Sequence, residues 1–145
     1  MLRSPAVLAL VTALMSTLPT GAQEFPREGN AAIPNGTAAP FVGQWSAGFP
    51  DDKNTIVTTT VISCDDPVLI EAVDDVNLSL SRNNDIEPPV IVELSEFSNR
   101  TSWFPVNGGL SSIAVWIDED SFYRYEVDAT GKADWDWPFL YRRCP

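Results

Sequence analysis

Val76-Asn77-Leu78-Ser79-Leu80-Ser81 is the stretch of sequence that decides the fold of this chain. Apolar and polar residues alternate along it, and a period of two sends successive side chains to opposite faces of a sheet. The same alternation recurs in residues 90–95 and 123–127. After residue 22, no window has the roughly 3.6-residue period of an amphipathic helix. We therefore predict an all-β protein.

Short runs rich in Asp, Asn, Gly and Pro separate the apolar segments, as turns separate strands. The segments between these runs predict about eight strands: 42–48, 55–63, 68–73, 76–82, 89–97, 101–104, 111–117 and 121–127. Many short strands joined by short turns are typical of an antiparallel meander, folded as a sandwich or closed as a barrel. We favour a closed or partly closed barrel because closure leaves no exposed strand edge.

The N-terminus has the layout of a secretory signal. Arg3 precedes an uncharged apolar run from Ala6 to Met15, and small residues follow up to Ala22. The run is shorter than the roughly 20 residues of a membrane-spanning helix, so we expect a signal peptide over 1–22 and no membrane span after its removal. Residues 23–40 are rich in Pro and Gly and are expected to form a flexible leader. Residues 41–145 then form a single domain, exported to the periplasm or the medium.

The chain contains two cysteines, Cys64 and Cys144. A thiol pair in an exported domain favours a disulfide, here one that joins the middle of the chain to its end. A redox-active pair is the alternative, but the sequence has no C-x-x-C motif. We therefore expect a structural disulfide.

Composition disfavours several classes of function. The net charge is −11, or −12 once Arg3 is removed with the signal (eight basic against twenty acidic residues), and such a surface repels nucleic acid and anionic membranes. The chain has no histidine and no phosphate-binding or hydrolase motif, so we expect no enzyme, no catalytic residue and no cofactor. Acidic clusters in the predicted turns favour backbone capping, with calcium binding as the alternative: Asp65-Asp66, Asp74-Asp75, Asp118-Glu119-Asp120, and Asp134 with Asp136. None matches a calcium loop, and we predict no metal site.

Gly43-Gln44-Trp45, in the first predicted strand, resembles the G-x-W signature of lipocalins and related calycin barrels. The resemblance implies that Trp45 closes one barrel end beneath an arginine from late in the chain, for which Arg142 and Arg143 are candidates. It also implies a C-terminal cysteine that ties the tail to the barrel wall. The T-D-Y motif of that family is missing from the chain.

All aromatic residues but Phe25 lie from Phe41 onward, and they supply both core and candidate binding residues. The first hypothesis is a non-enzymatic barrel that binds a small apolar ligand through five aromatic residues: Trp45, Trp103, Trp116, Tyr123 and Tyr125. The second is a protein-interaction module, such as an inhibitor or an envelope accessory factor, with Trp135, Trp137 and Phe139 as its patch. The sequence does not predict the oligomeric state.

Overall fold

The structure is a computed structural model that describes residues 25–50, 57–84 and 87–145. The described residues form a short 3-10 helix, Ala39–Phe41, and nine strands. In chain order the strands are β1 (Gly43–Pro50), β2 (Val57–Ile62), β3 (Val68–Asp74), β4 (Asn77–Arg82), β5 (Val90–Glu96), β6 (Thr101–Pro105), β7 (Ser112–Asp118), β8 (Ser121–Glu126) and β9 (Phe139–Arg143). The signal peptide predicted over 1–22 lies outside the described residues.

The strands form an antiparallel barrel. Their order is β2-β1-β3-β4-β5-β6-β7-β8-β9, and a further pairing of β1 with β9 closes eight strands into a ring. The remaining strand, β2, extends from one end of the ring as a hairpin with the second half of β1. The predicted all-β fold, barrel closure and antiparallel meander are therefore confirmed.

The predicted strand set is wrong at the C-terminus, where it lacks β9. This strand pairs with both β1 and β8 and so completes the barrel. Leu140 and Tyr141 are adjacent and both buried, because each face of β9 is covered by other residues. A strand that is buried on both faces has no alternation of apolar and polar residues to reveal it.

Alternation elsewhere sorts side chains as predicted. In β4, Leu78 is fully buried inside the barrel, whereas Asn77 and Ser79 are half-buried on the outer face. The interior holds an aromatic core that includes Trp45, Trp103, Trp116, Phe122 and Tyr141. Most of the barrel interior is therefore filled by the protein's own rings.

The predicted flexible leader is packed against the barrel over its described part. Gly29 and Asn30 donate backbone hydrogen bonds to the Asn99 and Trp116 carbonyls. Farther along, Ile33 and Ala38 are buried in the core with Phe41, the last residue of the 3-10 helix. Apolar residues among the prolines and glycines give this segment buried contacts, which the expectation of a flexible leader did not include. It belongs to the folded domain and plugs one end of the barrel.

The disulfide between Cys64 and Cys144 is present, as predicted. Cys64 lies in the loop between β2 and β3, two strands that pair with β1 along the same edge. Cys144 follows β9 on the opposite edge of β1, where its N–H donates to the Gln44 carbonyl. The disulfide thus joins the two neighbours of β1 across that strand and secures the β1–β9 seam at which the barrel closes.

Candidate functional site

One end of the barrel is closed around Trp45. The indole is fully buried, and its Nε1–H donates to the Phe41 carbonyl oxygen at 2.8 Å. The Arg143 guanidinium lies over the indole, with Cζ 4.3 Å from the ring centroid. The prediction of an arginine from late in the chain across Trp45 is confirmed for Arg143. Arg142 pairs with Ser46 in the β1–β9 ladder and its side chain is exposed.

Arg143 also ties together the segments that meet at this closed end. Its guanidinium donates to the carbonyls of Val42 (2.7 Å), Pro40 (3.0 Å) and Glu119 (2.9 Å). Gly43 makes this approach feasible, because a Cβ at that position would lie 2.6 Å from Nη1 of Arg143. Its φ of +147° is also a conformation that residues with a Cβ rarely adopt. The Arg143 contact and the local backbone conformation thus both favour glycine at position 43.

The middle of the barrel is packed with aromatic rings. The Phe41 and Trp116 centroids are 4.5 Å apart, and Phe122 lies 4.9 Å from Trp45 and 4.8 Å from Tyr141. Trp45 and Trp116, proposed from the sequence as ligand contacts, therefore belong to this core. Trp103 is also in the core, where its ring contacts Phe41 and Phe122.

Tyr123 and Tyr125 lie outside the barrel, contrary to their expected position with the tryptophans. They belong to a second cluster with Val115 and Leu140, which Phe25 and Trp135 partly cover. Burial raises the pKa of both tyrosines. The Tyr125 hydroxyl donates to the Pro26 carbonyl. The inward positions of β8 belong instead to Phe122 and Arg124.

The end of the barrel opposite Trp45, here called the mouth, is formed where β4 and β8 end and β5, β7 and β9 begin. Val90 faces inward there, because it lies two residues before buried Val92 in β5 and therefore shares its face. It pairs with Leu80, as Val92 pairs with Leu78. Val90 is nevertheless 53% exposed, whereas Val92 is 4% exposed. Inward-facing apolar surface at the rim is therefore accessible to solvent.

Two arginines, Arg82 and Arg124, lie at the mouth. Arg82 pairs with Val68 in the β3–β4 ladder, and its guanidinium forms a 2.8 Å salt bridge with Asp66. Arg124 lies on β8, and three strands separate β4 from β8 in either direction around the ring. The two arginines thus face each other across the mouth.

The Arg124 side chain is directed into the barrel. Its Nε donates to Ser112 Oγ at 3.1 Å and its Nη1 to the Tyr141 hydroxyl at 3.3 Å. Its Cζ lies 5.8 Å from the Trp103 ring centroid. Within the described residues, no carboxylate forms a salt bridge with Arg124.

The structure separates the three residues of the predicted interaction patch. Trp135 packs on Tyr125, and the guanidinium carbons of Arg27 and Arg100 each lie 5.2 Å from its ring. Phe139 points into the mouth, where its ring lies 5.0 Å from that of Phe49. Trp137 is the exposed member of the three, with 72% of its surface accessible.

Several turn acids hold the backbone, as predicted. Asp74 accepts from the Val76 N–H, and Asp118 accepts from the Asp120 N–H. Asp128, which the sequence did not single out, accepts from Thr130 and Lys132. These hydrogen bonds lower the pKa of Asp74 and of Asp128. In the described part of the chain, no three acidic or cysteine side chains are grouped to hold a metal ion.

Arg82 and Arg124 are the mouth residues that sequence analysis missed. Arg124 lies between Tyr123 and Tyr125 in the sequence. Because the tyrosines are largely apolar, the sequence predicted them in the interior and Arg124 in solvent. Phe122 was the signal that could have located it, because residues two apart in a strand share a face.

Comparison with known protein families, with curated proteins and with solved structures found no match to this chain. Within the ranges that the structure describes, no helix is long and apolar enough to cross a membrane.

Proposed function

We propose that this protein is an exported, non-enzymatic barrel that binds a small, largely apolar molecule in its mouth. The observation that carries the proposal is the unequal filling of the barrel. The Trp45 end is plugged by the 3-10 helix and Arg143, whereas inward-facing Val90 at the other end is 53% exposed. A rigid barrel with one closed and one accessible end is a common site for small ligands.

The closed end also supports a lipocalin-like role as a proposal. Trp45 and Arg143 make the contact that the resemblance implied, and the resemblance carries an expectation of small-molecule binding. The binding residues differ from those expected at first. The mouth contributes Leu80, Val90 and Phe139, and Trp103 lies at the base of the site, beneath Arg124.

Export is part of the same proposal. Disulfides persist in oxidising compartments, and the Cys64–Cys144 bridge secures the barrel seam. The predicted signal over 1–22 and the sequence's lack of histidine agree with an exported protein that has no acid-base catalyst of the usual kind.

Binding of a fluorescent naphthylamine probe tests ligand binding at the mouth. We expect the purified protein to bind N-phenyl-1-naphthylamine, and Val90→Trp to weaken that binding by filling the rim. Phe97→Ala is the control, because this exposed residue follows β5 at the end of the barrel opposite the mouth, and binding should not change. A protein that binds no such probe, or a Val90→Trp variant that binds it as well as the parent, would refute the proposal.

A second candidate, a protein-interaction module, is supported by Trp137. Its indole is 72% exposed. The preceding residue, Asp136, lines an open depression of about 630 Å³ together with Arg27, Glu126 and Trp135. Exposed tryptophans often anchor protein interfaces. Capture of a partner from secreted or periplasmic fractions should fall with Trp137→Ala and persist with Phe97→Ala, a similarly exposed aromatic control. Equal capture by both variants would dismiss Trp137 as the anchor.

A further inference from the structure

We propose that the mouth selects a ligand with a single carboxylate, and that Arg124 binds this carboxylate. The inference rests on the proposed small-molecule function and specifies the chemical class of its ligand. The chain carries twenty acidic and nine basic residues, yet no carboxylate of the described residues pairs with Arg124.

The other arginines directed toward the barrel ends differ from Arg124 in this respect. Arg82 pairs with Asp66 at 2.8 Å, and Arg143 pairs with Asp120 at 3.1 Å. A partly buried guanidinium without a counter-charge is costly, because burial removes water that would solvate its charge. An anionic ligand group would remove that cost.

Hydrogen-bond donors also exceed acceptors around Arg124. The Ser112 and Tyr141 oxygens accept from the guanidinium, which leaves each hydroxyl proton available to another acceptor. Trp103 is 1% exposed, and its buried Nε1–H has no acceptor among the described residues. The Arg124 guanidinium carbon lies 5.8 Å from the centroid of this indole ring, so the unused donor belongs to a side chain next to Arg124. Such a set of donors fits a group that only accepts.

A carboxylate fits these donors better than a phosphate. The planar guanidinium can bind two carboxylate oxygens in parallel. Arg124 offers one unpaired positive charge, since Asp66 neutralises Arg82 across the mouth. In a protein of net charge −11, one such charge suits a monoanion rather than a doubly charged group. The apolar remainder of the ligand would contact Leu80, Val90 and Phe139.

Decanoate and decanol are the probes that test this inference, because they share a chain and differ in charge. We expect calorimetry to give at least tenfold tighter binding of decanoate at neutral pH. Arg124→Gln should weaken decanoate binding about 10- to 100-fold, which corresponds to the loss of a charged hydrogen bond, and leave decanol binding unchanged. Arg82→Gln is the matched control, and it should retain the preference for decanoate.

The outcomes separate this inference from the proposed function. If neither probe binds, the proposed function fails and the inference with it. If both bind equally, or if Arg124→Gln keeps the preference, ligand binding stands and the carboxylate role of Arg124 is refuted. Should Arg124→Gln fail to fold by near-UV circular dichroism, Arg124→Met replaces it, because methionine also removes the charge and keeps an unbranched apolar stem. A preference for decanoate unchanged in that variant would overturn the inference equally.

Discussion

Replacing both Cys64 and Cys144 with serine is expected to lower the free energy of unfolding by about 4.5 kcal/mol. This is the chain-entropy value for a crosslink between residues 80 apart in sequence. Small domains are stable by roughly 5–15 kcal/mol, so the variant should be marginally folded. The effect should be centred on the β1–β9 seam, because the disulfide links the neighbours of β1 and β9 has only five residues.

Urea titration of the parent, the double variant and the reduced parent measures this loss. The variant and the reduced parent should agree, and both should unfold at lower urea, with a steeper dependence on denaturant concentration because the denatured chain without the crosslink is less compact. Hydrogen exchange should accelerate first at the Leu140 and Tyr141 amides of β9. A loss of less than 1 kcal/mol, or exchange that accelerates equally in all strands, would refute the role of the disulfide in securing the seam.

Three further predictions concern single residues. Gly43→Ala should destabilise the protein by about 1–3 kcal/mol in urea titration, because its φ is unfavourable for alanine and its Cβ would displace Arg143; an unchanged midpoint would contradict this packing. Tyr125 has a raised pKa, so its contribution to stability is complete below the ordinary phenol pKa of 10.0 and is lost as the pH rises above it. Urea midpoints at pH 8 and pH 11 should therefore differ less in Tyr125→Phe than in the parent, and an equal difference would argue against a buried phenol. Asp128 has a lowered pKa, so its contribution is present above the ordinary value of 3.8 and is lost as the pH falls toward the folded value. Asp128→Asn, which cannot titrate, should lose less stability than the parent between pH 5 and pH 2.5 in thermal melts, and identical losses would exclude this carboxylate as a source of acid sensitivity.

The sequence predicted those strands that have one apolar and one polar face. Residues 77–82 alternate clearly because β4 separates the core from solvent. β9 was missed because both its faces are covered. The described part of the leader was assigned to flexible chain because contacts with distant strands, such as that of Asn30 with Trp116, leave no local pattern.

The candidate site was predicted less well than the fold. Trp45 and an arginine partner were found through the G-x-W resemblance, and the structure assigns that role to Arg143. Tyr123 and Tyr125 were placed inside because aromatic residues favour interiors, and the β8 register reverses that choice. An arginine inside a barrel contradicts average burial preferences, so Arg124 was assigned to solvent although its spacing of two from Phe122 indicates the interior.

Nuclear magnetic resonance of the five tryptophan indole N–H groups tests the central claim, ligand binding at the mouth, most directly. Decanoate should shift the Trp103 indole signal, because that donor has no acceptor within the described chain and belongs to the ring next to Arg124. The Trp45 signal should stay in place, since its N–H is bonded to Phe41 at the closed end. A shift at Trp45 with none at Trp103, or no shift at all, would contradict the account.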